Sequence, residues 1–195
     1  TSINSNVSSN YFIDKLGNII EMVPDEFASW HAGKSNWKHY KNINKLSVGI
    51  EVQNPGHEFG YIKYSKNQIS SLIELLRYLK KKYNIKNSFI LGHSDISPDR
   101  KKDPGEKFPW IYLYKNKLAI WHNLKKSKIL KYRLIKLDLE NTKNFFKLLK
   151  KIGYRSKKKK KICTSFQRRF RPEIVNGIPD IECQLIAKNL INKRI

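Results

Sequence analysis

Short runs rich in apolar β-formers, residues 10–14 and 18–23, stand on either side of Lys15-Leu16-Gly17. Two such runs around a glycine turn predict two strands. Residues 46–53 are rich in β-formers and predict a third strand. The pattern then changes. After Ser65, a suitable helix cap, Ile69, Leu72, Ile73, Leu76, Leu79 and Tyr83 recur at helical spacing, which predicts an amphipathic helix over about 66–83. Residues 88–92 form an apolar run that reads as a short buried strand ending at His93, and residues 108–117 read as a short helix. Three further helical patterns follow. Residues 141–152 carry Phe145, Phe146, Leu149 and Ile152, residues 159–170 carry Ile162, Phe166 and Phe170, and residues 179–191 carry Ile181, Leu185, Ile186 and Leu190. Arg171-Pro172 and Asn176-Gly177-Ile178-Pro179 punctuate the last gap. Strands mixed with helices in this order predict an α/β fold, a mixed central sheet with flanking helices, plus a small C-terminal three-helix domain.

The expected division is 1–120 for the sheet domain, 121–137 for a linker dominated by basic residues, and 138–195 for the helical domain. At 195 residues the chain fits one domain with a small appendage. No apolar run approaches the length of a membrane span. The polar stretch Thr1 to Ser9 is not a signal peptide.

The formal charge of +24 raises the question of an anionic partner. The excess is mostly Lys spread along the chain, with runs only at Lys80–Lys82 and Lys157–Lys161, which read as solvated faces. No helix-turn-helix, zinc-finger or RNA-recognition pattern accompanies it, so nucleic acid is not expected as a partner. Cys163 and Cys183 lack metal-ligand spacing and read as buried or half-buried free thiols, with a disulfide between them as the alternative for an exported protein. His39, His57 and His122 read as surface residues.

The candidate chemistry lies in residues 92–105, Gly-His-Ser-Asp-Ile-Ser-Pro-Asp-Arg-Lys-Lys-Asp-Pro-Gly. It holds an imidazole, His93, a carboxylate ten positions later, Asp103, and Lys101 beside the carboxylate. Turn-forming residues between them let the loop fold back. Zinc accepts this nitrogen and oxygen donor set, so His93 and Asp103 form a candidate hydrolytic metal site.

With further pieces in order along the chain, the sequence resembles the zinc-dependent N-acetylmuramoyl-L-alanine amidases of the AmiD/AmpD type, related in fold to peptidoglycan recognition proteins. These pieces are Val7-Ser8-Ser9-Asn10-Tyr11, Trp30-His31-Ala32-Gly33, Asn44, Ser47-Val48-Gly49-Ile50-Glu51, the loop from His93 to Gly105, and Phe108-Pro109-Trp110. The stretch Phe166-Gln167-Arg168-Arg169-Phe170-Arg171-Pro172 and Asn176-Gly177 are similar to the family's peptidoglycan-binding helical domain.

The resemblance implies hydrolysis of the amide between the muramic acid lactyl group and L-alanine, in peptidoglycan or muropeptides. It implies zinc as cofactor, held by His93 and Asp103, with Glu51 as proton carrier and Lys101 as oxyanion stabiliser. Trp30 and His31 are expected to bind substrate. The family's first zinc histidine precedes the Val7–Tyr11 stretch, and no His precedes His31 here. The chain is therefore expected to be N-terminally incomplete, short of one ligand and one strand. Asn10 stands where a His is common in the family. The expected setting is the periplasm, cell envelope or exterior, as a monomer. The alternative is a non-catalytic peptidoglycan-binding remnant.

Overall fold

The computed structural model describes residues 7–193. Thr1 to Asn6, and what the sequence leads one to expect of them and of anything before them, lie outside the described residues. The chain divides into two compact units, one of residues 1–36 and 40–85, the other of residues 37–39 and 86–195.

In the first unit, β1 (Tyr11–Ile13) is the central strand of a three-stranded sheet. It pairs antiparallel with β2 (Ile19–Glu21) and parallel with β5 (Ile50–Val52), so the sheet is mixed, as expected. Along β1 burial alternates, with Tyr11 and Ile13 buried and Phe12 half-buried. The third strand is shorter than the expected 46–53, with Ile43–Lys45 forming a 3-10 turn ahead of it. The ladder begins at Gly49, whose carbonyl accepts from both Asn10 N and Tyr11 N at 3.0 Å, and β1 offers only three residues to pair. Two-residue strands β3 (Asn36–Trp37) and β4 (Tyr40–Lys41) form a separate small sheet.

Helix α1 (Lys66–Lys82) starts at a capping box. Ser65 Oγ accepts from Gln68 N at 3.1 Å, and Gln68 Oε1 accepts from Ser65 N at 3.0 Å. The Gln68 amide also donates to Gln53 O at 2.8 Å, tying the helix start to the chain just after β5. Ile69, Leu72, Ile73, Leu75 and Leu79 are its buried apolar residues. Leu75 takes the place expected of Leu76, and Tyr83 is exposed, because the buried stripe runs through 72, 75 and 79.

In the second unit, the expected strand over 88–92 is instead a 3-10 turn (Asn87–Phe89) followed by extended residues that join no ladder among the described residues. Its apolar run is consumed in reaching helix α2 (His93–Ile96). Helix α3 (Trp110–Lys115) follows. Residues 121–137 contain helix α4 (Lys126–Ile129), a 3-10 turn over Leu130–Tyr132, and Arg133, which clasps buried Glu182 at 2.6 and 2.8 Å.

Helices α5 (Leu139–Ile152), α6 (Lys159–Phe170) and α7 (Ile181–Asn192) match the three expected helices. Asp138 and Asp180 cap α5 and α7 by accepting from Asn141 N and Cys183 N at 2.7 and 2.8 Å. Phe145, Leu149, Ile152, Ile162, Phe166 and Phe170 are core, as the pattern predicts. On α7 the buried face is rotated. Cys183, Ile186, Ala187 and Leu190 are buried while Ile181 and Leu185 are half-buried, and Glu182, clasped by Arg133, is buried too.

Both cysteines are free and buried. His39 and His57 are exposed, but His122 is half-buried, stacked on Trp121, and its Nδ1 finds no hydrogen-bond partner. No helix of the described residues is long and apolar enough to cross a membrane.

Candidate functional site

The first unit holds Trp30, His31 and Glu51, and the second holds His93, Lys101 and Asp103.

In the first unit the Trp-His-Ala-Gly and Gly-Ile-Glu stretches meet directly. A Cβ on Gly49 would stand 2.3 Å from His31 Cγ, so only glycine lets the imidazole lie against the strand that leads to Glu51. Ala32 N donates to Asn44 Oδ1 at 2.6 Å, which links the quoted Asn44 to the same turn.

Asn10 is the centre of this region. Its Nδ2 donates to the carbonyls of Val23, Pro24 and Phe27 at 3.2, 3.3 and 3.0 Å. Its Oδ1 accepts from Gly49 N at 2.9 Å and from Ser29 Oγ at 2.7 Å. The sequence flagged Asn10 only as a departure from a common His. The structure makes it a fully buried crosslink among four chain segments.

The ring of His31 sits between two hydroxyls, with Ser29 Oγ 2.7 Å from Nδ1 and Ser47 Oγ 2.8 Å from Nε2. The Ser29 proton is committed to Asn10 Oδ1 and the Ser47 proton to Ile43 O at 2.7 Å. The two hydroxyls hold the ring from both sides and fix its orientation. Trp30, by contrast, is 69% exposed, its backbone held by Ser8 Oγ at 2.9 Å. Glu51 is an exposed residue on β5, paired in register with Phe12 of β1.

In the second unit, Gly92 precedes the first residue of α2, and that residue is His93. The loop folds back as its turn residues predict. Ser94 N donates to Asp103 O at 2.8 Å, and the Lys101 and Arg100 amides both close onto Ser97 O at 2.9 and 3.1 Å. The result places His93 Nδ1 in direct contact with Asp103 Oδ2. The His93 side chain is 16% exposed and that of Asp103 49%. Burial pushes the Asp103 carboxyl upward, but the hydrogen bond from His93, the His93 charge and the nearby Lys101 charge outweigh it and hold the carboxyl below its ordinary range. Lys101 is half-buried.

The imidazole and carboxylate suit zinc in donor type. Among the described residues no third His, Cys, Asp or Glu joins them in a group that could hold a metal.

The motif Phe166–Pro172 is core. Phe166, Gln167, Arg169, Phe170 and Arg171 are all buried. Gln167 Oε1 accepts from Asn176 N and Gly177 N at 3.1 and 2.7 Å, and its Nε2 donates to Ile178 O at 2.9 Å, which explains why this Gln and the Asn-Gly turn occur together. Sequence reasoning missed Asp95, Tyr154 and Arg169, which meet in this core.

The protein is thus of mixed α/β class with a histidine–carboxylate pair on a partly exposed loop. The profile of the family described as N-acetylmuramoyl-L-alanine amidase matches residues 1–106. The chain is 30% identical to the N-acetylmuramoyl-L-alanine amidase AmiD of Escherichia coli, over 99% of this chain and 76% of that protein. A solved structure of E. coli AmiD, in complex with the substrate anhydro-N-acetylmuramic acid-L-Ala-D-gamma-Glu-L-Lys, superposes with a TM-score of 0.86, covering 97% of this chain and 81% of that one. The crystal structure of AmpDh3 from Pseudomonas aeruginosa, 28% identical, superposes with a TM-score of 0.83 over 97% of this chain and 84% of its own. The 1,6-anhydro-N-acetylmuramyl-L-alanine amidase AmpD of Haemophilus influenzae is 36% identical over 53% of this chain, which spans 55% of its length. The chain belongs to the N-acetylmuramoyl-L-alanine amidase family.

Proposed function

We propose that this protein hydrolyses the amide between the muramic acid lactyl group and L-alanine, in peptidoglycan or in muropeptides, with zinc as its cofactor. The observation that carries this is the contact of His93 with Asp103 on the folded-back loop, in a chain of an amidase family whose AmiD relative was solved with a muropeptide substrate. His93 and Asp103 would hold the metal, which when bound supplies Lewis acidity toward the substrate carbonyl and a more acidic water. Glu51 takes the proton from the attacking water and passes it to the leaving amine of L-alanine. Lys101 offsets the negative charge that develops on the carbonyl oxygen. Trp30 and His31 bind substrate, the one by its exposed ring, the other by an imidazole held between two hydroxyls. The catalytic residues fall within 1–120, and residues 138–195 contribute binding to the wall polymer. The setting is the periplasm, the envelope or the exterior, where the substrate is found, and the protein acts as a monomer.

The test is to incubate the complete protein, with zinc, with defined muropeptides and to identify products by mass spectrometry. Free peptides beginning with L-alanine are expected. Cleavage at a glycosidic bond or between peptide residues refutes the assignment. Retention on peptidoglycan without cleavage selects the non-catalytic binding protein instead.

A further inference from the structure

Three side chains almost wholly withdrawn from water meet behind His93. Asp95 is 1% exposed, Tyr154 1% and Arg169 2%. Asp95 lies two residues after His93 on α2, Tyr154 follows the end of α5, and Arg169 is on α6. Tyr154 Oη donates to Asp95 Oδ1 at 2.7 Å, and Arg169 Nη1 donates to Asp95 Oδ2 at 2.5 Å. The same Oδ2 accepts from Gly92 N at 2.9 Å. Arg169 Nη2 donates to Ile90 O at 3.0 Å. The guanidinium lies over the ring of Trp110, 4.0 Å from its centroid.

One arginine therefore grips the chain on both sides of His93, at Ile90 and at Asp95. The grip extends to the other member of the pair, because Ser94 N, between His93 and Asp95, holds the Asp103 carbonyl at 2.8 Å. A charged pair taken out of water is poor evidence for stability as such, since desolvation offsets much of its attraction. What such a pair does well is select one geometry, because every alternative leaves a charge buried and unpaired. Arg169 also sits within the motif that resembles a polymer-binding domain, yet its burial keeps it from touching any polymer.

We propose that Arg169 and Tyr154, acting through Asp95, are positioning residues for the His93–Asp103 pair, so that the C-terminal helices hold the metal loop in its ligating shape. The inference rests on the zinc reading given above. Groups that orient metal ligands without touching the metal typically change metal affinity by about 10–100-fold when removed.

The test uses the complete protein and measures zinc affinity by competition with a chromophoric chelator, at a temperature where each variant is folded. The visible spectrum of the cobalt-substituted protein serves as a reporter of ligand geometry. Arg169→Met and Asp95→Asn are each expected to weaken zinc binding by about 10–100-fold and to shift the cobalt bands. Arg169→Lys should restore part of the affinity. Leu190→Ala, at a buried residue of α7 that makes none of the hydrogen bonds to Asp95, Tyr154 or Arg169, should lower the melting temperature and leave affinity and spectrum unchanged. Where Arg169→Met does not fold, Tyr154→Phe decides, since it removes one hydroxyl and should weaken binding by several-fold. Wild-type affinity and spectrum in Arg169→Met, or in Tyr154→Phe in its place, overturn the inference, as does an equal affinity loss in Leu190→Ala. A wild type that takes up no zinc overturns the metal reading and this inference with it.

Discussion

Gly92 and Pro104 lie so close that a Cβ on Gly92 would stand 2.4 Å from the proline Cδ and 3.3 Å from Trp110 Cζ2. The two residues immediately flank the His93–Asp103 pair, Gly92 before His93 and Pro104 after Asp103. Gly92→Ala therefore has to push the two ends of the loop apart. Overpacking of this kind costs about 1–3 kcal/mol. The variant is expected to lose about that much stability in urea denaturation and to bind zinc more weakly. Unchanged zinc affinity would mean the loop ends are not coupled to the pair.

Glu51 and His93 should separate in their effects. His93→Ala is expected to lose bound metal and activity together. Glu51→Gln should keep its metal and lose about 10²–10⁴ in rate, the usual contribution of a positioned proton carrier. Metal analysis of both purified variants beside their rates on a muropeptide checks this. A folded Glu51→Gln without metal would show that the roles are wrongly divided.

Asn10→Ala should destabilise the first unit strongly. It strips partners from the Gly49 amide, the Ser29 hydroxyl and three carbonyls at a fully buried position. Each buried polar group left unpaired costs about 1–3 kcal/mol, so a loss of at least about 2 kcal/mol is expected. Chemical denaturation measures it, and a change under about 0.5 kcal/mol, the range of ordinary surface substitutions, would argue against the hub.

His122 gives stability a pH dependence of known sign. Burial, with the charge of Lys193 added, pushes its imidazole down from 6.5 to about 4 in the folded protein, against an opposing pull from Glu173. The unfolded chain then binds the proton more readily between those values. Stability should fall as pH drops from about 6.5 toward 4, with no contribution from this group above that window. His122→Asn should flatten the melting temperature over that range relative to wild type. An identical pH profile in the variant would remove His122 as the cause.

The sequence by itself carried whatever depends on neighbours along the chain. His93 and Asp103 are ten residues apart in a stretch of turn formers, so their meeting was legible before any coordinates. The Ser65 cap, the helices over 66–82, 139–152 and 159–170, and the Gly-turn hairpin follow from local periods and caps for the same reason. Tertiary structure alone decided which faces turned inward and which buried charges met. A period says that one side of α7 is apolar, but the packed helix buries Cys183 rather than Leu185, with Glu182 held beside it by Arg133 from another segment. The apolar residues 88–92 had strand character, yet they form a 3-10 turn and an extended stretch that joins no ladder among the described residues. Arg169 and Asp95 stand 74 positions apart, and each alone resembles an ordinary surface charge. Only the packing of α6 against α2 removes the water that would otherwise solvate both, and that desolvation turns two unremarkable residues into a fixed pair.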